Sequence, residues 1–298
     1  MEIVKPFVKW AGGKGSLISQ LTNFYPFELK DGIINKYVEP FVGGGAVLID
    51  ILQKYNVKSA YAFDINIDLI NCYNVIKTNV EDLIEALKEK EENYFKLETE
   101  NKQGYFYEIR KEYNSYRIDE QELNVKRASE FIFLNRTCFN GLYRVNSKNE
   151  FNVPFGKKTK VNTYEGQNLG IICGFLNYND IKILSTDFEE AVKEAKKGDF
   201  IYFDPPYDSD TSTFNSYTED GFGKEQQKRL AKVYRELSDK GCYVMLSNHN
   251  TELINELYKD YNIHLIEAKR SINANGKKRG KVEEVIITNY ENKRGFDL

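Results

Sequence analysis

An apolar run of four residues, 200–203, is followed at once by Asp204, Pro205, Pro206 and Tyr207. The run has the composition of a buried parallel strand. That strand must end at the prolines, because neither can donate a hydrogen bond to a neighbouring strand. The carboxylate and the aromatic ring are therefore expected on a stiff turn at the carboxyl end of a strand, the edge at which open α/β sheets bind ligands.

Strand-like and helix-like segments alternate on the amino-terminal side of the chain. Residues 37–42 predict a strand, residues 46–55 predict a helix, and residues 58–63 predict a second strand that ends at Asp64. Three consecutive glycines lie between the first strand and the helix. Alternation of this kind is typical of a doubly wound α/β sheet.

The same alternation resumes after residue 181. Thr186 and Glu189 have the spacing of a capping box, which predicts the start of a short helix. A helical pattern over residues 224–239 ends just before Gly241, and glycine commonly follows helix ends. Further strands are predicted at residues 242–247, 263–266 and 285–288.

The middle of the chain differs, and we interpret it as an inserted, mainly helical module. Residues 67–167 are rich in Glu, Lys, Asn and Tyr, and the most apolar helical segment is 128–134. Residues 140–156 are polar and interrupted by glycine, which predicts a hairpin or loop. We therefore expect a catalytic domain in two parts, residues 1–66 and 168–298, with the module between them.

The composition argues against several kinds of site. No apolar stretch approaches the length of a membrane span and no signal pattern opens the chain, so we expect a cytoplasmic protein. The four cysteines form no Cys-x-x-Cys pair, which favours reduced thiols. With two histidines in the chain, a zinc site of the usual kind is not expected, and we expect no metal at all.

Basic residues are concentrated in two stretches although the formal net charge is -3. Residues 126–160 contain eight basic and two acidic side chains, and residues 269–281 contain six basic side chains and no acidic one. Such stretches on an otherwise acidic protein indicate a polyanion partner, although a solvated surface would give the same pattern. Lys277, in the second stretch, is a candidate phosphate contact.

Gly43, Gly44 and Gly45 predict a tight turn at which backbone can approach a ligand. A dinucleotide fingerprint would need a further glycine at Leu48, which disfavours a pyrophosphate site. Asp64 lies 19 positions after Gly45, a spacing that suits a carboxylate bound to ribose hydroxyls. The alternative is an exposed acid at a strand end.

Trp10 is the single tryptophan of the chain, and two glycines and Lys14 follow it closely. A P-loop is excluded, because glycine would be needed at Val8 and Ser or Thr at Gly15. Trp10 could form one wall of a pocket in which Lys14 pairs with a ligand carboxylate. It could equally anchor the amino terminus on the core.

Arginines, an amide and aromatic residues are mixed in residues 136–144. Arginine side chains pair with guanine edges, asparagine pairs with adenine, and an aromatic ring can enter a base step. The alternative is a surface loop whose aromatic residues pack on their own module.

The turn that follows residues 200–203 suits an amino group on a planar heterocycle. The Asp204 carboxylate and the backbone carbonyl beside it can accept hydrogen bonds, and the Tyr207 ring can stack. This is the chemistry of an amine methyltransferase.

Several motifs in one fixed order resemble the Dam-type (D12 class) DNA adenine-N6 methyltransferases, in particular the Gram-positive enzymes that modify GATC sites. The motifs lie at residues 7–14, 39–45, 64, 144–146, 151–156, 204–207, 247–249 and 270–272. This resemblance implies a Rossmann-like, S-adenosylmethionine-dependent methyltransferase sheet that carries the module as its target-recognition insert. A longer run at residues 91–122 and an insertion near 162–179 depart from the family pattern and affect the module boundaries.

The resemblance also implies the function and its residues. The expected reaction is methyl transfer from S-adenosyl-L-methionine to adenine N6 in double-stranded DNA, within GATC, by base flipping and direct transfer. The expected role is protection of DNA in a restriction–modification system, by a monomer whose candidate partner is a cognate endonuclease. Catalysis is assigned to Asp204, Pro205, Pro206 and Tyr207. Cofactor binding is assigned to Trp10, Ala11, Gly12, Lys14, Phe41, Gly43, Gly45, Asp64 and Asp204. DNA contacts are assigned to Lys9, Arg136, Phe139, Asn140 and Arg144.

Three other interpretations are weaker. An RNA amine methyltransferase can use the same scaffold, but the inserted module favours duplex DNA. A DNA-binding module without activity is disfavoured by the intact residues 204–207. A cytosine-C5 enzyme needs a nucleophilic thiol, and none of the four cysteines follows a proline.

Overall fold

The computed structural model describes residues 4–119, 122–178, 180–208, 222–269 and 281–291. Seven strands within these ranges form one sheet, in the order β3-β2-β1-β4-β5-β7-β6. The strands are β1 Lys36–Glu39, β2 Ser59–Asp64, β3 Asp180–Ser185, β4 Phe200–Phe203, β5 Tyr243–His249, β6 Asn262–Lys269 and β7 Lys281–Thr288. The α-helices are α1 Ile18–Leu21, α2 Phe27–Lys30, α3 Ala46–Lys54, α4 Ile67–Thr78, α5 Val80–Lys96, α6 Lys102–Ser115, α7 Val125–Thr137, α8 Gly166–Tyr178, α9 Phe188–Ala191, α10 Lys224–Asp239 and α11 Glu252–Leu257.

The first five strands are parallel, and β7 runs antiparallel between β5 and β6. From β1 the chain moves outward to β2 and β3 and then returns to the other side at β4, so the winding direction reverses between β1 and β4. Glu39 at the end of β1 lies opposite Ala62 of β2, and Val38 lies opposite Ile201 of β4. The carboxyl ends of these three strands therefore meet where α/β sheets bind ligands.

Alternate strand residues point to opposite faces of the sheet and enter two apolar clusters. Tyr37 and Tyr202 belong to the cluster that includes residues of α1 to α8. Val38, Ile201 and Phe203 belong to the cluster that includes residues of α9 to α11. With both faces covered, the sheet confirms the predicted doubly wound α/β fold.

Two local predictions need correction. The strand predicted at residues 37–42 ends at Glu39, because Pro40 cannot continue the ladder. The capping box predicted at Thr186 is wrong. Asp187 has extended backbone and its side chain accepts from the Glu189 N–H at 3.0 Å, so Asp187 is the N-cap of α9.

The helical region between β2 and β3 packs on the sheet as well as on itself. The predicted helix at 128–134 is part of α7, which contacts α4, α5 and α6. α4 and α8 pack against β3, so apolar residues of sheet and insert share one cluster. Val145 and Phe151 form an isolated antiparallel bridge, which favours the hairpin over the loop for residues 140–156. The division into residues 1–66, 67–167 and 168–298 stays a prediction.

None of the helices within the described ranges combines the length and the apolar character that a membrane span requires.

Candidate active site

Residues 204–208, which we call the proline corner, leave β4 at the carboxyl edge of the sheet. The Asp204 side chain is 17% exposed, and the Lys14 ammonium lies 2.7 Å from its Oδ1. Lys14 is itself 4% exposed and donates to the Gly12 carbonyl at 2.7 Å. The short helical turn at Lys14–Ser16 thus brings a buried cation to the acid that sequence analysis singled out.

The charge of Asp204 is set by opposing influences. Burial raises the pKa of its carboxyl to about 6, and the Glu284 carboxylate contributes to the increase. The Lys14 ammonium acts in the other direction and lowers this pKa. Asp204 is therefore ionised at neutral pH, when it can only accept hydrogen bonds, and is readily protonated in mild acid.

Tyr207 is held in place by three neighbours. Its hydroxyl donates to Glu284 Oε2 at 2.9 Å, and the Lys14 ammonium lies 4.6 Å from the ring centroid. The His249 ring contacts it edge to face, at a centroid distance of 4.7 Å. Burial is the largest cause that raises the pKa of the Tyr207 hydroxyl well above its usual value, so the group is a neutral donor. Sequence analysis missed Glu284, because its position on β7 gives no sign that it meets Tyr207.

The glycine turn and Asp64 form the neighbouring part of the edge. Gly43 and Gly45 have φ angles of 47° and 74°, which favour glycine. The Gly43 N–H donates to Asp64 Oδ2 at 3.1 Å, and the Asn66 N–H donates to Asp64 Oδ1 at 2.9 Å. Burial raises the pKa of Asp64 to about 6, while these backbone donors oppose the increase.

Trp10 connects this turn to the helical insert. A Cβ atom at Gly43 would lie 2.7 Å from Trp10 Cδ1, so a larger residue cannot replace the glycine without a shift. The indole also stacks on Tyr143, with ring centroids 5.7 Å apart. Trp10 therefore packs on the insert and also contacts the turn, while its role as the wall of a ligand pocket stays a prediction. Phe41 stacks on Phe188 at 5.5 Å on the other side of the sheet edge.

Residues 139–144, which we call the Arg144 loop, follow α7. Phe139 is 47% exposed, and Asn140 is exposed with a φ angle of 56°. Arg144 is exposed, and its Nε donates to Asn152 Oδ1 at 2.7 Å, which orients the guanidinium. The side chains assigned to DNA are therefore accessible here.

Lys9 and Asn135 tie the Arg144 loop to the amino-terminal segment. Buried Asn135 accepts from the Lys9 N–H and donates to the Lys9 carbonyl, both at 2.8 Å, and it also donates to the Gly141 carbonyl at 3.1 Å. Lys9 carbons crowd the position that a Gly141 Cβ would take. Burial and the nearby charges of Lys158 and Arg136 lower the pKa of Lys9. These basic groups are therefore neighbours.

One residue assigned to DNA is placed differently, and another lies outside the described residues. Arg136 donates to the backbone carbonyls of Pro6 and Phe7, at 3.4 Å and 2.7 Å for Nη2, so it fixes the amino-terminal segment to α7. Lys277 lies outside the described residues. Across the part of the chain that is described, no three His, Cys, Asp or Glu side chains form a group that could hold a metal ion.

Comparison with known proteins places the chain in a family. The family model for D12 class N6 adenine-specific DNA methyltransferases matches residues 10–272. The chain belongs to this family. It is an adenine-specific DNA methyltransferase, as the sequence motifs predicted.

Relatives match this methyltransferase over almost its whole length. A type II methyltransferase of Methanocaldococcus jannaschii, M.MjaIII, is 46% identical over 291 residues, which are 96% of this chain and 99% of the relative. The type II methyltransferase M1.LlaDCHI of Lactococcus lactis subsp. cremoris is 44% identical, over 97% of this chain and 96% of its own. The DNA adenine methylase of Escherichia coli K12 is 33% identical, over 95% of this chain and 94% of its own.

The family assignment decides between the interpretations that the sequence left open. It names DNA as the substrate class and N6 of adenine as the acceptor, in place of RNA or cytosine C5. It also makes the chain an enzyme and not a silent DNA-binding module. Members of this family transfer a methyl group to DNA, which implies S-adenosylmethionine as the methyl donor.

Proposed function

We propose that this enzyme methylates N6 of the adenine in GATC sites of duplex DNA and protects that DNA in a restriction–modification system. The observation that carries the proposal is the proline corner. It offers a half-buried carboxylate and a proline carbonyl as acceptors at the reversal point of the sheet, beside a glycine turn and Asp64.

The residues at this edge fit S-adenosylmethionine. A carboxylate oxygen has two acceptor positions, so each Asp64 oxygen can accept a ribose hydroxyl in addition to its backbone donor. The cofactor supplies an electrophilic methyl group on a sulfonium. We assign its binding to residues near the turn and the corner, which are Trp10, Ala11, Gly12, Lys14, Phe41, Gly43, Gly45, Asp64 and Asp204.

Orientation of the target amine is the task of the proline corner. Adenine N6 is a weak nucleophile, because its lone pair is delocalised into the ring. An Asp204 oxygen and the Pro205 carbonyl accept its two hydrogens, which directs the lone pair at the methyl carbon. Asp204 then takes the proton that N6 releases on forming its new bond and returns it to solvent. Acceptors that are fixed before the reaction lower its barrier without reorganisation.

The target base must leave the helix to reach this corner, at a cost of a few kcal/mol. Stacking on an aromatic ring contributes about 1–3 kcal/mol per base, so Tyr207 offsets much of that cost. Phe139, at 47% exposed, is placed to fill the space that the base leaves.

Sequence recognition is assigned to the Arg144 loop and its neighbours. Arg144 pairs with a guanine, and Lys9 and Asn140 contribute further base or phosphate contacts. The GATC assignment follows from the resemblance of the motifs. The protective role is supported by the names of two relatives, which are type II methyltransferases.

Mapping of modified adenines tests this proposal. The enzyme is expressed in cells that lack adenine methylation, and their DNA is sequenced by a method that detects N6-methyladenine. We expect methylation at GATC on both strands and resistance of the DNA to an endonuclease that cuts unmethylated GATC. Methylation at another motif would contradict the GATC assignment, and a strain that expresses Asp204→Ala is the control.

A further inference from the structure

Two fully buried amide side chains lie behind the proline corner. Gln227 on α10 and Asn248 on β5 are both 0% exposed. Gln227 Nε2 donates to the Pro206 carbonyl at 2.9 Å, and Gln227 Oε1 accepts from Asn248 Nδ2 at 3.1 Å. Asn248 Oδ1 accepts from the backbone N–H of Asp208 at 3.0 Å and from that of His249 at 2.9 Å.

The backbone groups at the two ends of this series of hydrogen bonds fix which amide atoms donate and which accept. The Pro206 carbonyl can only accept a hydrogen bond, and the Asp208 N–H can only donate one. Each amide therefore has one orientation, because a flip would place two acceptors or two donors in contact. In a buried network such a mismatch costs the full desolvation of the unpaired groups.

The amide pair restrains the part of the corner that faces the substrate. Proline rings fix φ at Pro205 and Pro206, so few backbone torsions remain free between Asp204 and Asp208. The hydrogen bond to the Pro206 carbonyl fixes the peptide that follows the Pro205 carbonyl. The bond to the Asp208 N–H fixes the peptide that follows Tyr207.

We propose that Gln227 and Asn248 are positioning residues for methyl transfer. Neither side chain touches the substrate in this proposal, which rests on the proposed function. Together they hold the Pro205 carbonyl and the Tyr207 ring in the orientation that receives the target adenine. Sequence analysis assigned no role to either residue.

Gln227→Met is the variant that tests the proposal, since methionine has a similar volume and cannot form either hydrogen bond. The rate of methyl transfer is measured in a single turnover at saturating S-adenosylmethionine and DNA, together with cofactor affinity and thermal unfolding. A displacement on the order of 1 Å at a reacting group costs up to about 100-fold in rate. We expect a fall in rate of this order, with cofactor affinity within about twofold of the parent. Gln226→Met, at the neighbouring position, is the matched control and should retain the parental rate.

The combined variant Gln227→Met/Asn248→Ala is compared with each single variant. The comparison shows whether the two amides act as one connected chain of hydrogen bonds or as two independent contacts. If the two amides act as one chain, the combined variant loses little more rate than the worse single variant. Losses of rate that multiply in the combined variant would contradict one connected chain of hydrogen bonds.

A folded Gln227→Met enzyme with the parental rate would overturn the proposal, as would a loss of rate that only follows a loss of cofactor binding. Absence of transfer by the parent enzyme would instead overturn the proposed function.

Discussion

The proline corner and the Arg144 loop differ in how their side chains are held, although buried amides fix the backbone of both. Buried amides hold the backbone of each, with Gln227 and Asn248 behind the corner and Asn135 beneath the loop. At the corner the side chains are fixed as well, because Lys14 pairs with Asp204 at 2.7 Å in the interior. In the loop the backbone is fixed while the side chains of Phe139, Asn140 and Arg144 project into solvent.

This difference separates chemistry from recognition. Atoms that react need one fixed position, whereas groups that read a sequence must be accessible to a duplex. Changes at the corner should therefore reduce the rate equally on every DNA, and changes in the loop should alter the preference between DNAs. The predictions below test this separation, from the largest expected effect to the smallest.

Asp204→Ala should nearly abolish methyl transfer, because it removes one of the two acceptors for the target amine. Loss of one preorganised group of this kind costs about 10²–10³ in rate, and we expect weaker cofactor binding as well. The loss should be the same on GATC and on sites that differ by one base. Asp239→Ala, an exposed acid at the end of α10, is the control. Retained turnover would rule out Asp204 as the acceptor.

Arg144→Ala should relax specificity at one base pair while the reaction remains possible. A bidentate arginine–guanine contact discriminates by about 1–3 kcal/mol, which is roughly 5- to 150-fold. The measurement is kcat/KM on GATC and on each singly substituted site. Arg235→Ala, exposed on α10, provides the comparison. An unchanged preference would remove Arg144 from the residues that read the sequence.

The rate should decrease as the pH is lowered through about 6. The pKa of Asp204 is raised to about 6, so above that pH its carboxyl is mainly ionised and can accept both hydrogen bonds and the proton, and below that pH it is mainly protonated. The Lys14 ammonium lowers the pKa of Asp204. Its removal in Lys14→Met should therefore raise this pKa and move the midpoint of the pH profile of kcat/KM to higher pH. The profile is measured with the parent and with Lys36→Met as control. A midpoint that does not move would show that another group controls the acid limb.

Lys277→Ala should have the smallest effect, a uniform weakening of binding to all duplexes. Loss of one phosphate contact reduces the slope of log affinity against log salt by about 1. Titrations of GATC and unrelated duplexes at several salt concentrations measure this slope, with Lys232→Ala as the control. A loss confined to GATC duplexes would contradict a phosphate role.

Local sequence was sufficient to predict much of the fold and the corner. Strand β4 and the turn after it follow from four apolar residues and two prolines, which act on their own backbone. The glycine turn and Asp64 follow for the same reason, since each property belongs to a short segment. The sheet was predicted because alternation along the chain has few solutions in three dimensions.

Contacts between distant segments could not be predicted in this way. Lys14 meets Asp204 and Glu284 meets Tyr207 only after the sheet has formed, and neither pair has a sequence spacing of its own. Arg136 illustrates the same limit. Its charge suggested a polyanion, but the orientation of α7 directs its guanidinium to the Phe7 carbonyl.

A crystal structure of the enzyme with a GATC duplex and a non-reactive cofactor analogue tests the central claim most directly. We predict that the target adenine lies outside the helix, with N6 about 2.7–3.2 Å from an Asp204 oxygen and from the Pro205 carbonyl oxygen. An adenine bound with N6 away from both acceptors, next to other groups, would contradict the account.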